Sequence, residues 1–133
     1  MHQLFIYQPL ISSENSFKNV SKVLAKEALT ASENLFIGKS FNGSTGASLK
    51  TYLDYLHLNG VNKENLSPII INNFQKANDA LDQLNENFID QINTDKSKML
   101  NTFDKLQAIV VNMKTDMLSI LSIQVDYIDA DGD

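Results

Sequence analysis

Apolar side chains return every three or four positions along four stretches of this chain, and no other feature constrains its fold as tightly. Residues spaced that way share one side of an α-helix, and a helix with an apolar side must cover it with another element. The spacing predicts helices over 17–37, 47–58, 68–92 and 95–121. The first stripe is Phe17, Val20, Leu24, Ala28, Ala31 and Leu35; the second is Leu49, Tyr52, Leu53 and Leu56. The third is Ile70, Phe74, Ala77, Leu81, Leu84, Phe88 and Ile92, and the fourth Met99, Phe103, Leu106, Val110, Met113, Met117 and Leu121. Two long helices joined only by Asn93 and Thr94 must lie antiparallel, because so short a link reaches nowhere else. The expected fold class is all-α: an up-and-down four-helix bundle with a short second helix and a brief extended C-terminal segment.

Turn chemistry sets the expected ends of these helices. Gly38 is placed for a left-handed stop. Thr45 or Gly46 would cap the second helix, and Asn59-Gly60 would end it. Ser67 sits where a capping hydroxyl belongs, with Pro68 at the first helical position, and Thr94 would cap the fourth helix. Residues 1–16 read as an irregular N-terminal segment and 17–133 as one bundle domain. Within 123–133, Ile123, Val125 and Tyr127 alternate with Gln124, Asp126 and Ile128 as in an extended piece.

Composition narrows the function classes. The chain has 133 residues, of which 43% are hydrophobic, enough for a core without staples. It has no cysteine, which excludes disulfides and thiolate metal sites. Formal net charge is -5 and every basic residue is Lys. Without the Arg fork for phosphate and base edges, nucleic acid is not an expected partner. The apolar run Leu4-Phe5-Ile6-Tyr7 lacks a basic flank and a small-residue cleavage site, so it does not read as a signal peptide. No transmembrane segment is expected, since no run approaches the roughly 18 apolar residues needed.

No residue is assigned a catalytic, cofactor-binding or metal-binding role. His57, with Asp54 three positions earlier, is the nearest approach to a ligand pair, but a helix-end or packing role is the expectation. Asp129, Asp131 and Asp133 alternate as in a calcium loop, without its turn glycine or distal Glu. Asp79, Asp82, Glu86 and Asp90 are expected on a solvated face, and Asp116 is expected to be partly covered. The Gly43-Ser44-Thr45-Gly46 loop precedes a helix start but lacks the Lys of a phosphate loop. Val23, Leu29, Ile109, Val111 and Leu118 lie outside the stripes and could form a second buried face.

Several runs resemble the imelysin-like family. Gly38-Lys39-Ser40-Phe41-Asn42-Gly43-Ser44-Thr45-Gly46, with Leu49-Lys50-Thr51-Tyr52-Leu53-Asp54-Tyr55-Leu56, is similar to the start of that family's C-terminal bundle. Phe103-Asp104-Lys105-Leu106-Gln107-Ala108-Ile109-Val110-Val111, through Lys114-Thr115-Asp116-Met117-Leu118, resembles its last long helix. Val125-Asp126-Tyr127-Ile128-Asp129-Ala130-Asp131-Gly132-Asp133 resembles its ending. The likeness runs from about Ser21 onward. It implies a periplasmic or cell-envelope protein, often a lipoprotein, linked to iron uptake and classed among metallopeptidases. It also implies a partner, the N-terminal imelysin-type bundle, with iron or another divalent metal in the full-length family. The family's G-x-H-x-x-E motif belongs to that other bundle. Here Phe5 follows His2 and Gly60 follows His57 at the Glu position, so no motif residue carries over and enzymatic activity stays open. The chain reads as the second half of such a protein.

Overall fold

A computed structural model of the chain describes residues 19–121. The extended segment expected over 123–133, the irregular segment over 1–16 and the alternating Asp129, Asp131 and Asp133 lie outside them. The fold is all-α. In chain order the elements are α1 (Ser21–Ile37), α2 (Leu49–Leu58), α3 (Leu66–Asp82), α4 (Phe88–Thr94) and α5 (Lys96–Val111). A π-helical turn (Asn112–Asp116) then leads into α6 (Met117–Ile120). No strand occurs among the described residues, only one bridge between Lys39 and Thr45.

α3 is the hub. Ile70, Phe74, Ala77 and Leu81 are all but inaccessible, as that stripe predicts, and Leu84 extends it. α1 runs antiparallel to α3: Phe36 stacks at a tilt on Phe74, with ring centroids 6.4 Å apart, while Lys22 lies at the other end of α3. α5 also runs antiparallel to it. The Thr102 hydroxyl reaches the Ala80 carbonyl oxygen at 3.4 Å, and Asn73 Nδ2 donates to Asn112 Oδ1 at 2.6 Å. α2 lies against the N-terminal end of α3, where Ser67 Oγ donates to the Lys50 carbonyl at 3.2 Å. Leu66 adds the first turn of α3, and Leu29, Leu53 and Ile109 complete the core from the surrounding helices.

The long third helix expected over 68–92 is in fact two. It stops at Asp82, and α4 restarts at Phe88. Three polar groups stabilise the break. Asn87 Oδ1 accepts from the Ile89 and Asp90 N–H groups, capping α4. Gln91, 3% exposed, accepts from Asn85 N–H at 2.8 Å and donates to the Asp95 carbonyl at 2.8 Å. Lys22 Nζ donates to the Asp82 and Leu84 carbonyls, both at 3.0 Å, supplying partners that a helix end otherwise lacks. The hairpin therefore turns through α4 rather than at 93–94. Ile92, expected in the stripe, is exposed.

Helix caps also differ. Ser48, not Thr45 or Gly46, caps α2, in a reciprocal box with Thr51. Ser67 lies inside the first turn of α3, and Asn65 occupies the cap position. Asp95 caps α5 by accepting from Ser97 and Lys98 N–H, whereas Thr94 ends α4. The hydrogen bond from the Ser97 hydroxyl, and after it those from the Lys98 and Ser97 N–H groups, hold the Asp95 carboxyl below its ordinary value.

Two stripes are out of phase with expectation. On α1, Leu24, Ala28, Ala31 and Leu35 face solvent, and the buried residues are Leu29 and Phe36. On α5, Phe103 and Val110 are exposed, and Thr102 and Ile109 are buried instead. Met99, Leu106, Met113 and Met117 do pack against the core.

Gly38 stops α1 as expected, at φ 73°. A Cβ there would sit 2.7 Å from Ser48 Cβ and 2.8 Å from the Gly46 carbonyl oxygen. Gly38→Ala thus combines left-handed strain with a clash against backbone. It is expected to destabilise by about 1–3 kcal/mol, read as a lower urea midpoint with an unchanged slope.

Candidate functional site

An open cleft of about 420 Å³ lies between α2 and the start of α3, lined by Lys50, Asp54, His57, Leu58, Asn65, Ser67, Pro68 and Ile71. The spacing of four between Lys50 and Asp54, and of three between Asp54 and His57, sets these three polar residues along one side of α2. Lys50 Nζ donates to Asp54 Oδ2 at 2.7 Å. His57 Nδ1–H donates to the Asn62 carbonyl oxygen at 3.0 Å, fixing the ring against the loop before α3. The Ser67 hydroxyl lies within reach of both the Lys50 carbonyl and the Asp54 carboxylate. Asn65 is partly covered, and its Oδ1 is buried without a hydrogen-bond partner.

Burial pushes the Asp54 carboxyl up, but hydrogen bonds from Lys50 and Ser67, with the Lys50 and His57 charges nearby, outweigh it. The net result is a carboxyl held below its ordinary value. A depressed folded-state value contributes stability that is fully present above the unfolded value, near pH 4, and is lost as pH falls through the folded one. With the Asp54 side chain 30% exposed, solvent screens much of this. Lys50→Met is therefore expected to flatten the loss of stability below about pH 4, seen as a smaller difference between urea midpoints at neutral and acid pH.

The other residues considered from sequence lie elsewhere. His57 and Asp54 do share the cleft, but the carboxylate pairs with Lys50 rather than with the imidazole. Among the described residues no group of three or more His, Asp or Glu side chains is placed to hold a metal ion. In the Gly43–Gly46 loop the backbone N–H groups of Ser40, Gly43, Ser44 and Gly46 are engaged by Ser44, Ser40, Asn42 and Gly38 oxygens. They form a self-closed turn, with none of those donors left for an anion.

Asp79, Asp82, Glu86 and Asp90 are exposed, as expected, though Asp82 pairs with Lys26 and Glu86 with Lys22. Asp116 is half-buried, and its Oδ2 accepts from Asn112 Nδ2 at 2.8 Å within the π-helical turn. No helix among the described residues is long and apolar enough to cross a membrane.

Sequence reasoning passed over Asn65. The signal was present: an Asn just ahead of Leu66-Ser67-Pro68, where a cap residue belongs.

A second surface feature is apolar. Leu24, Ala28, Ala31 and Leu35 form one outward face of α1, with Leu35 78% exposed. Leu100, Phe103, Val110 and Val111 fall within about a quarter-turn of arc on the outer side of α5, with Phe103 59% exposed. Comparison with family models, curated proteins and solved structures finds no match to the chain.

Proposed function

We propose that this chain is a helical bundle, non-catalytic on its own, that supplies one wall of a ligand- or iron-associated site by docking against a second bundle of the N-terminal imelysin type in the cell envelope. The observation that carries the reading is the outer face of α5, where Leu100 and Phe103 near one end and Val110 and Val111 near the other are exposed on one side, with the exposed Gln107 between the two pairs. Scattered exposed apolar residues are ordinary on a protein surface, but two apolar pairs on one side of a helix, about two turns apart, could each meet a second helix. The resemblance over 38–56, 103–118 and 125–133 supplies the occupant. Leu29 and Ile109, which could have belonged to a second buried face, serve the chain's own core and do not support it.

The test is co-expression with an imelysin-type N-terminal bundle carrying G-x-H-x-x-E, followed by size-exclusion chromatography. The reading expects a one-to-one complex that Phe103→Glu disrupts while leaving the isolated chain's melting temperature unchanged. Separate elution of the two chains, or a complex indifferent to Phe103→Glu, contradicts it.

A further inference from the structure

On the outer face of α1, Leu24, Ala28, Ala31 and Leu35 are exposed at steps of four, three and four. That is the spacing of a coiled-coil seam. The seam is not spent on this chain's core, toward which α1 turns Leu29 and Phe36 instead. Spacing and side-chain size both read the same from either end, Leu-Ala-Ala-Leu. A second α1 laid antiparallel on it sets Leu24 against Leu35 at each end and Ala28 against Ala31 in the middle. One two-fold axis generates both halves of that match, as a self-complementary patch requires. The alanines let the two backbones come close, and the leucines close the ends.

Charge agrees with this pairing. Of the charged residues of α1, Lys22, Lys26 and Glu33 share the side of Leu29 and Phe36, with Lys22 paired to Glu86 and Lys26 to Asp82. Only Glu27 borders the seam, and across an antiparallel pair it faces the Ser32 and Asn34 positions of the second copy rather than a carboxylate. Antiparallel helices also set opposite dipole ends side by side. We infer that this face joins two copies of the chain as an antiparallel, two-fold helix pair. Leu24 to Leu35 spans about 16 Å of helix, so the interface is small and the dimer weak, with a dissociation constant on the order of 0.1 mM.

Sedimentation equilibrium on the full chain, from about 0.01 to about 1 mM, tests this. Monomer is expected to give way to dimer across that range. Ala28→Glu keeps a good helix former at an exposed position but sets a carboxylate from each copy into the seam. It should weaken association by about 10-fold or more. Phe103→Glu, on α5, should leave association unchanged, which separates this dimer from the docking of a second bundle. The chain has no cysteine, so introduced thiols report the pairing. When Leu24→Cys and Leu35→Cys chains are mixed and oxidised, the mixed disulfide should outnumber the two symmetric ones together. A monomer at every concentration overturns the inference, whether the face stays bare or another segment of the chain covers it. So does a dimer indifferent to Ala28→Glu, or one in which the symmetric disulfides prevail.

Discussion

Phe74→Ala is expected to destabilise the fold by about 3–5 kcal/mol, against a total of roughly 5–15 kcal/mol for a domain of this kind. Phe74 is 1% exposed in the middle of α3 and shares a tilted ring contact with Phe36. Truncation removes the ring's own burial and strips Phe36 of its largest neighbour, and fixed helices on several sides leave little room for collapse. The internal control is Phe103→Ala. That ring is 59% exposed, so its loss should fall within about 0.5 kcal/mol. Urea denaturation followed by circular dichroism separates the two. Equal effects would mean that α5 is rotated from the position described.

The second large effect is Leu81→Asp, which should leave the chain without a cooperative transition. Leu81 is 2% exposed beside Ala80, where α3 and α5 come close enough for the Thr102 hydroxyl to reach a carbonyl of the other helix. A carboxylate placed there has no cationic partner within the apolar cluster, and burying an unpaired charge exceeds what a marginally stable domain tolerates. Leu106→Asp should do less damage, because Leu106 is only partly buried and its carboxylate could turn toward water. Leu35→Asp, on the outer face of α1, should be close to neutral. Loss of the thermal transition in Leu35→Asp, or its survival in Leu81→Asp, would reverse the assignment of core and surface.

These contrasts show where the sequence was informative. The stripe of α3 was legible because one run, Ile70 through Leu81, carries large apolar residues against Asn, Gln, Asp and Lys. The α1 phase was not, because that helix offers two runs at helical spacing. Leu24-Ala28-Ala31-Leu35 is uninterrupted and reads as the core. Packing selects the other side, on which Lys22, Lys26, Leu29, Glu33 and Phe36 recur at steps of four and three. That side lets Phe36 reach Phe74 while Lys22 and Lys26 reach the C-terminal end of α3. A long-range pairing of cations with helix-end carbonyls has no signature in local periodicity.

Along α5 and the π-helical turn after it the two candidate faces share Met99, Leu106 and Met113 and differ only in Thr102 and Ile109 against Phe103 and Val110. The smaller Thr102 wins because it meets α3 at Ala80, whose carbonyl its hydroxyl reaches, while the same hydroxyl donates to the Lys98 carbonyl at 2.9 Å. Bulk alone would have chosen Phe103. The break after Asp82 was hidden for a similar reason. Leu84 and Phe88 continue the apolar spacing, and only Asn87 and the buried Gln91 amide reveal that the backbone has left the helix.

The cleft was half legible. Lys50, Asp54 and His57 could be placed together from their spacing on α2. Asn65 and Ser67 could not be added before it was known that α3 begins against the same face.

α3 is a hub that ends at Asp82, and the chain re-enters helix only at Phe88. Residue-resolved amide hydrogen exchange on the whole chain tests this most directly. The slowest amides should lie within α3 and the facing part of α5, with an interruption across 85–87, apart from the hydrogen-bonded Asn85 N–H. Unbroken protection from 68 to 92 that opens only at 93–94, or exchange across 66–111 as fast as in an unstructured peptide, would contradict it.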